Sequence, residues 1–311
     1  MHDIIILGTG PAGYTAALYT SRAFLKTLMF SGPELGGQLT TTTDVENYPG
    51  FDKGIQGPEM MEVFKKQVER FGTEIILETI TRVDFSQRPF KVFTGDKEYQ
   101  AKSVIIATGA AAKYLGLPSE QKFMGKGVSA CATCDGFFFK GKEVVVVGGG
   151  DTAMEEATFL AHFATKVTII HRRNEFRASP IMLKKAQNHP QISILTNKTV
   201  EEVLGDTSVT GVRLKDTVSG AVSELSIKGF FLGIGHTPST AFLKGQIGLD
   251  EKGYVKIKEN PILAAQTETS VRGIFAAGDC VDPRYRQAIV AAGQGCEAAM
   301  DAQKWLEEQQ H

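Results

Sequence analysis

Two short apolar runs in this chain are each followed by a cluster of glycines. The first run covers residues 4–7 and leads into the cluster at 8–13, and the second covers 144–147 and leads into 148–153. Runs of this length that are apolar at every position are typical of parallel strands buried on both faces. The pattern therefore predicts a strand, a glycine turn and a helix, and it does so twice in one chain.

A second apolar run follows each predicted helix, at residues 27–30 in the first copy and 167–170 in the second. Each copy thus reads as a βαβ unit, and the predicted fold class is α/β with Rossmann-like units. Both turns fit G-x-G-x-x-G/A, in which the first glycine permits a tight turn and the second lets backbone amides approach a pyrophosphate. The phosphates would lie at a helix N-terminus. Two glycine turns without a ligand are the alternative.

The end of the second strand distinguishes the dinucleotides, because an acid there binds a ribose 2′-hydroxyl whereas arginine accommodates a 2′-phosphate. The second copy has no acid at this turn and carries Arg172, Arg173 and Arg177, which favours NADPH over NADH. A solvated basic loop is the alternative. The first copy has Ser31 there and Glu34 as its nearest acid. With neither an acid nor an arginine at the turn, FAD is the natural candidate.

Cys131 and Cys134 form the only C-x-x-C motif. A zinc site is disfavoured because zinc needs four ligands and no second pair has suitable spacing. Two inert core cysteines and a redox-active dithiol stay open, and the dithiol fits better, since it would lie between an electron donor and a flavin. Asp135, beside the second thiol, is a candidate proton donor or acceptor, or else a capping or solvated acid.

Composition narrows the class of protein. A chain of 311 residues predicts about two domains, and 34 basic against 35 acidic residues leave a net charge of −1. That balance argues against nucleic-acid binding, and no apolar stretch is long enough to span a membrane. The absence of a secretory signal and the small number of cysteines predict a cytoplasmic protein. Cys280 and Cys296 are expected to be small buried residues.

Taken together, these motifs identify a resemblance to the bacterial-type, low-molecular-weight thioredoxin reductases. The resemblance covers essentially the full length of the chain. The segments that carry it are residues 8–13, 36–39, 46–50, 107–110, 131–136, 148–153, 171–177, 235–238, 276–279 and 285–288.

The resemblance implies an α/β fold of two Rossmann-like, three-layer nucleotide-binding domains, one inserted in the other. Residues 1–112 and 243–311 would form the FAD domain. Residues 113–242 would form the NADPH domain and would carry the cysteine pair. The family also implies a homodimer.

The resemblance also implies which residues hold each cofactor; no metal is expected. The residues implied for FAD are Gly8, Gly10, Pro11, Ala12, Gly13, Ser31, Gly32, Glu34, Gly36, Gln38, Leu39, Asn47, Ala107, Thr108, Gly109, Gly278, Asp279, Arg286, Gln287 and Ala288. The residues implied for NADPH are Gly150, Asp151, Thr152, Glu155, His171, Arg172, Arg173, Arg177 and Ile234.

The activity that the resemblance implies is the reduction of a protein disulfide, that of oxidised thioredoxin, by NADPH through FAD. Cys134 would face the flavin, Cys131 would attack the partner, and Asp135 would move a proton. A flavin-dependent oxidase of small-molecule dithiols is the alternative, but it needs no NADPH and the three arginines argue against it. A ferredoxin-type reductase would not need the cysteine pair. A nucleotide-binding redox sensor without turnover is a third class.

Overall fold

The structure, a computed structural model, describes residues 1–258 and 265–309. The chain divides into two compact units. Unit 1 is built from both ends of the chain, Met1–Ala111 and Thr237–His311, and unit 2 is Ala112–His236. No helix formed by the described residues is long and apolar enough to cross a membrane.

The strands of the described residues are, in chain order, β1 (His2–Leu7), β2 (Thr27–Phe30), β3 (Asp44–Val45), β4 (Ile55–Gln56), β5 (Glu74–Ile76), β6 (Arg82–Asp84), β7 (Phe90–Thr94), β8 (Lys97–Ile106), β9 (Ala110–Ala112), β10 (Val128–Ser129), β11 (Glu143–Val147), β12 (Lys166–Ile170), β13 (Ile192–Leu195), β14 (Lys198–Gly205), β15 (Val209–Asp216), β16 (Val222–Ser226), β17 (Gly229–Leu232), β18 (His236–Pro238) and β19 (Ile274–Ala276). The α-helices are α1 (Pro11–Arg22), α2 (Gly57–Glu69), α3 (Pro118–Lys122), α4 (Ala132–Asp135), α5 (Asp151–Leu160), α6 (Pro180–Gln187) and α7 (Ala288–Glu308). Short 3-10 turns cover Gly37–Thr41, Gly136–Phe139 and Ala241–Leu243.

The main sheet of unit 1 has the order β5-β2-β1-β8-β7-β6, and β19 also pairs with β8. Strands β5, β2, β1, β8 and β19 run parallel, whereas β7 and β6 continue the sheet antiparallel. Both β1 and β8 therefore bring their carboxyl ends to one edge of the sheet. In an open α/β sheet this edge is where ligands bind.

Strand β1 is buried on both faces, which explains its uninterrupted apolar run. Ile4 and Ile6 pack with Tyr14 of α1 and with residues of α2 and α7, whereas Ile5 and Leu7 pack with residues of β6, β7 and the loops beside them. All four side chains are fully buried. Each contributes about 1.5–3 kcal/mol relative to an exposed position.

Unit 2 repeats this plan. Its main sheet has the order β10-β17-β11-β12-β13 and is parallel throughout. Val144 and Val146 of β11 pack against helix α5, and Val145 and Val147 face residues of the antiparallel sheet β14-β15-β16. In unit 2 the helices, the parallel sheet and the separate antiparallel sheet form three layers, whereas in unit 1 the antiparallel strands β7 and β6 extend the main sheet itself. The predicted α/β class with two Rossmann-like units is confirmed.

Candidate functional site

The C-x-x-C motif is closed as a disulfide in unit 2. Cys131 and Cys134 are bonded to each other, with their Cα atoms 5.3 Å apart. Cys131 directly precedes α4 and is half-buried, whereas Cys134 lies within α4 and is exposed. The disulfide is therefore accessible from solvent, and its sulfurs are not available as thiolate metal ligands.

Hydrogen bonds hold the backbone on both sides of this disulfide. The N–H of Cys131 donates to Oγ of Ser129 over 3.0 Å, and the N–H of Asp135 donates to the carbonyl of Cys131 over 3.2 Å. Sγ of Cys131 lies 3.4 Å from Oγ1 of Thr133. Ser129 is itself buried and was not singled out from the sequence.

Asp135 occupies a half-buried position at the end of α4. Burial raises the pKa of its carboxyl above the ordinary value, and a hydrogen bond from Ser129, which favours the charged form, opposes that shift. A carboxyl in this state holds a proton more readily than a fully solvated aspartate does. Of the two roles predicted for Asp135, this environment favours proton transfer over that of a solvated surface acid.

Aromatic side chains follow the disulfide directly. Phe137 is 61% exposed and Phe138 is 36% exposed, whereas Phe139 is buried against Phe231. The ring of Phe137 makes edge contacts with Phe138 and Phe163. Two of the three phenylalanines therefore present apolar surface beside the disulfide.

The first glycine turn needs each of its glycines for a different reason. Gly8 has a φ of +114°, and a Cβ there would lie 2.2 Å from the carbonyl oxygen of Ala107. A Cβ on Gly13 would lie 2.1 Å from the carbonyl oxygen of Gly8. Beside Gly10, by contrast, the space is open to 4 Å. Gly8 and Gly13 serve close packing, and Gly10 leaves room for a ligand.

The residues around this turn belong to segments that are distant in sequence. Oγ1 of Thr9 accepts the N–H of Gly36 over 2.9 Å and lies 3.4 Å from the carbonyl oxygen of Ser31. A Cβ on Gly37 would lie 3.3 Å from Cα of Gly10. Thr9 and Gly37 lie in motif segments recognised from the sequence, but they were not among the residues predicted to bind FAD.

Further FAD candidates meet at the same edge of unit 1. A Cβ on Gly278 would lie 2.9 Å from Cβ of Ala12. Asn47 donates to Oε1 of Gln287 over 3.3 Å. The remaining candidates in unit 1 are Pro11, which begins α1; Gly32, Glu34, Gln38 and Leu39, in the segment after β2; Thr108 and Gly109, which follow β8; and Ala288, which begins α7.

Asp279 is a half-buried carboxyl in the segment between β19 and α7. Burial raises its pKa to about 6; the negative charge of Asp282 adds to the shift and the positive charge of Arg286 opposes it. The carboxylate of Asp282 accepts the backbone N–H groups of Arg284 (2.7 Å), Tyr285 (2.9 Å) and Arg286 (3.2 Å). Asp282 thus fixes the loop that carries Arg286. Its position before a proline is a turn signal that the sequence reasoning passed over.

In the second glycine turn, in unit 2, one glycine likewise serves close packing and another leaves open space. A Cβ on Gly148 would lie 2.4 Å from the carbonyl oxygen of Gly233, whereas the space beside Gly150 is open to 4 Å. Gly150 directly precedes α5, and no side chain caps that helix. No side chain therefore competes with a ligand for the N–H groups at the start of α5, as at α1, where Gly10 is likewise uncapped.

Four NADPH candidates lie on or near this turn. Oδ1 of Asp151 accepts the N–H of Ser179 over 2.7 Å, so this carboxylate also ties the start of α6 to the turn. Thr152 is half-buried and Glu155 is exposed on α5. Ile234 follows β17 and packs against the core of unit 2.

The arginine-rich loop follows β12. Arg172, Arg173 and Arg177 are all exposed. Within the part of the chain that the structure describes, their guanidinium groups form no hydrogen bond or ion pair with another residue. Three unpaired cations beside an open glycine turn suit a ligand with several phosphate groups.

The two sets of candidates fall in different units. Every residue predicted for FAD lies in unit 1, and every residue predicted for NADPH or for catalysis lies in unit 2. The two free cysteines lie in unit 1. Cys280 is buried as predicted, whereas Cys296 is only half-buried on α7, where its sulfur lies 3.9 Å from that of Met300. The prediction that Cys296 is buried was therefore wrong, since its side chain is partly exposed.

Two Rossmann-like units with open phosphate turns, one of them carrying an accessible disulfide, define a nucleotide-dependent disulfide oxidoreductase. Residues 2–295 match the model of the pyridine nucleotide-disulphide oxidoreductase family, to which the chain therefore belongs. The chain is 54% identical to the thioredoxin reductase of Mycolicibacterium smegmatis over 309 residues, which cover 99% of this chain and 98% of the relative. It is 51% identical to that of Coxiella burnetii, covering 98% of this chain and 97% of the relative.

Solved structures agree with this placement. Thioredoxin reductase from Giardia duodenalis superposes with a TM-score of 0.93 at 47% identity, covering 98% of this chain and 99% of that one. The enzyme from Streptococcus pyogenes also gives 0.93, at 37% identity and 99% coverage of both chains. Within its family the chain thus groups with the thioredoxin reductases. FAD and NADPH are the cofactors of this group, and the open turns at Gly10 and Gly150 fit them.

Proposed function

We propose that this protein is an NADPH-dependent thioredoxin-disulfide reductase. The observation that carries the proposal is an accessible Cys131–Cys134 disulfide in the unit that also bears the arginine-rich nucleotide turn. A disulfide at the surface can exchange with the disulfide of a protein partner.

Unit 1 is assigned to FAD and unit 2 to NADPH. In unit 1 the turn at Gly8, Gly10 and Gly13 would hold the pyrophosphate, with Asp279 and the segment after Asp282 beside it. In unit 2 the turn at 148–153 would hold the NADPH pyrophosphate, and the three arginines its 2′-phosphate. When bound, NADPH and FAD together supply two electrons for reduction of the protein disulfide.

The two cysteines carry the exchange chemistry. Reduction of their disulfide with two electrons and two protons yields two thiols. Cys131 loses its proton to solvent and its thiolate attacks one sulfur of oxidised thioredoxin. A mixed disulfide forms as the partner's disulfide breaks, and the partner's other sulfur leaves as a thiolate that takes up a proton from solvent. The thiolate of Cys134 then attacks Sγ of Cys131, which releases reduced thioredoxin and restores the Cys131–Cys134 bond.

Asp135 is assigned the proton transfers at this pair. Its carboxylate takes the proton from the Cys134 thiol, so that the resolving thiolate forms next to its target. The protonated carboxyl then gives that proton to the departing thiolate of the partner. Burial keeps the pKa of Asp135 above that of an ordinary aspartate, which makes its carboxylate a stronger base.

We also infer a cytoplasmic homodimer, because the resemblance to bacterial-type thioredoxin reductases implies a dimer and the small number of cysteines fits a reducing compartment. Static light scattering of the purified protein would distinguish a dimer from a monomer. A small-molecule dithiol oxidase is not favoured, because it would leave the arginine loop without a ligand.

An anaerobic titration of the purified holoenzyme tests the proposed function. NADPH should bleach the flavin absorbance, and oxidised thioredoxin should restore it. A flavin spectrum that NADPH leaves unchanged would contradict the proposal. Restoration by oxygen and a small dithiol, but not by thioredoxin, would favour the oxidase.

A further inference from the structure

The two glycine turns differ at the position between their first two motif glycines, which is Thr9 in unit 1 and Gly149 in unit 2. In unit 1 the side chain of Thr9 is buried and its hydroxyl lies 3.4 Å from the carbonyl oxygen of Ser31. Ser31 is the residue that directly follows β2. The turn and the end of the second strand are therefore joined by the threonine side chain.

In unit 2 the side chain that joins the turn to the end of the second strand comes from the strand end and not from the turn. His171 directly follows β12 and is thus the counterpart of Ser31. A Cβ on Gly149 would lie 2.2 Å from Cε1 and 2.3 Å from Nδ1 of His171, far inside van der Waals contact. A side chain at position 149 would therefore collide with the imidazole in its present position. The dinucleotide motif itself does not require a glycine at this position.

The imidazole also holds the arginine loop. Nε2 of His171 lies 3.0 Å from the carbonyl oxygen of Glu175, and since a carbonyl only accepts, Nε2 carries the proton and donates it. The ring lies against that of Phe176, with centroids 4.7 Å apart and planes at 31°. Both partners belong to the loop that carries Arg172, Arg173 and Arg177.

Gly149 holds the same loop through its backbone. Its carbonyl oxygen accepts the N–H of Arg177 over 2.8 Å and that of Ala178 over 3.1 Å. At the other end of the loop, Oγ1 of Thr217 donates to the carbonyl oxygen of Arg172 over 3.4 Å. The loop is thus fastened to the phosphate turn through Gly149 and His171 together.

We propose that Gly149 and His171 form a positioning pair that determines the preference for a 2′-phosphorylated dinucleotide. The inference rests on the proposed function, because it presupposes an NADPH site in unit 2. His171 occupies the end of the second strand, where an NADH site would place its acid. Since Nε2 is engaged by Glu175, His171 sets the location of the arginines and is not itself a ligand of the phosphate.

The test compares the affinities of the holoenzyme variants for NADP⁺ and NAD⁺ by isothermal titration calorimetry. H171A loses one of the hydrogen bonds that hold the arginine loop, and in G149A the new Cβ displaces the imidazole ring. Each variant should bind NADP⁺ about tenfold more weakly or worse. NAD⁺ binding should change less than about threefold, since it has no 2′-phosphate for the arginines to bind. In steady-state kinetics, KM for NADPH should rise while kcat stays near that of the wild type.

Coupling between the two residues provides a second readout. The double variant G149A/H171A should bind NADP⁺ no more weakly than G149A alone, because the new methyl group then enters space that the ring has left. H171Q, which keeps a donor on the side chain, should recover part of the affinity. G293A, at a glycine with open space on α7, and H162A, at an exposed histidine, are the matched controls.

The outcomes separate this inference from the proposed function. Equal losses for NADP⁺ and NAD⁺, or additive losses in the double variant, would overturn the positioning pair while leaving the enzyme assignment intact. An unchanged preference in folded H171A and H171Q would overturn it as well. A wild-type protein that shows no preference for NADP⁺ would instead contradict the NADPH site, and this inference with it.

Discussion

The backbone N–H of Cys131 donates a 3.0 Å hydrogen bond to Oγ of Ser129. The same buried hydroxyl donates to the carbonyl oxygen of Cys131 over 3.3 Å, and its proximity lowers the pKa of the Asp135 carboxyl, against the larger raising effect of burial. One buried side chain therefore holds the backbone of a redox cysteine and also influences the pKa of the neighbouring acid. Ser129 is a positioning residue for Cys131.

Substitution of Asp135 by asparagine should slow thioredoxin reduction about a hundredfold, because the exchange then lacks its proton acceptor. Bleaching of the flavin by NADPH should be retained. Since the carboxylate form is the active base, wild-type kcat should fall as the pH drops through the raised pKa of Asp135, and D135N should lack this acidic limb. Stopped-flow and steady-state rates across pH measure both effects.

Ser129 supplies the control for this assignment. S129A removes a hydrogen bond that favours the charged carboxylate, so the acidic limb should move to higher pH while the protein stays active. D206N, at an exposed aspartate of unit 2, should leave the profile unchanged. An acidic limb that persists in D135N would show that another group titrates.

Serine substitution of each cysteine should abolish turnover and separate the two thiols by role. In C134S the attacking thiol of Cys131 remains while the resolving thiol is lost, so a mixed disulfide with thioredoxin should accumulate. C131S should accumulate none. Non-reducing mass spectrometry detects the adduct, and accumulation in C131S instead would reverse the assigned roles, an outcome that the greater exposure of Cys134 makes worth testing.

Two glycines of one turn should respond differently to alanine. G8A combines a positive φ with a clash against Ala107, so it should lower the free energy of unfolding by more than about 2 kcal/mol. G10A has open space and an ordinary φ and should change it by less than about 1 kcal/mol. Urea unfolding of flavin-stripped protein measures both.

The flavin content of the purified variants completes this comparison. Folded G10A should retain less flavin than the wild type, because its methyl group enters the space reserved for a phosphate. Full flavin content in G10A would exclude Gly10 from the FAD site without affecting the argument for Gly8.

Features encoded by neighbouring residues could be predicted from the sequence. The β1–α1 and β11–α5 segments were recognisable because an apolar run, a glycine turn and a helix lie next to one another along the chain. The cysteine pair was recognisable for the same reason. In both cases the pattern is local, so no knowledge of tertiary packing was needed.

Features that depend on distant segments could not be predicted. In the sequence, Gly149 cannot be distinguished from the other motif glycines. Its distinctive feature is the ring of His171, 22 residues later in the chain, which lies in the space beside it. Ser129 had no motif of its own, and its role follows only from the fold of the chain around Cys131. Cys296 was expected to be buried, but its face of α7 is partly exposed, and nothing nearby in the sequence indicates this.

Truncation of Phe137 should weaken binding of the protein partner. The ring is 61% exposed beside the disulfide and meets the rings of Phe138 and Phe163 edge-on, so F137A should cost less than about 1 kcal/mol of stability. Loss of apolar contact should raise KM for thioredoxin about tenfold with kcat little changed. F24A, at a 97% exposed phenylalanine of unit 1, should leave KM unaltered. Equal effects of both variants would contradict a docking role for Phe137.

Asp279 should make stability depend on pH. Its pKa is raised from 3.8 to about 6, so the folded protein binds more protons than the unfolded chain between these values. Stability should therefore fall as the pH rises from about 4 to about 6 and then level off, at a cost of up to about 3 kcal/mol. D279N removes the charge and with it this dependence.

Urea unfolding of flavin-stripped protein at several pH values measures the difference between D279N and the wild type. The difference should be near zero at pH 4 and should grow in favour of D279N until about pH 7, because only the ionised carboxylate opposes burial. D96N, at an exposed aspartate of the same unit, should show no such growth. If the difference in unfolding free energy between D279N and the wild type did not depend on pH, ionisation of Asp279 would not destabilise the folded protein. A difference that grows with pH would show that the ionised carboxylate of Asp279, at the edge of unit 1 assigned to FAD, lowers the stability of the folded protein.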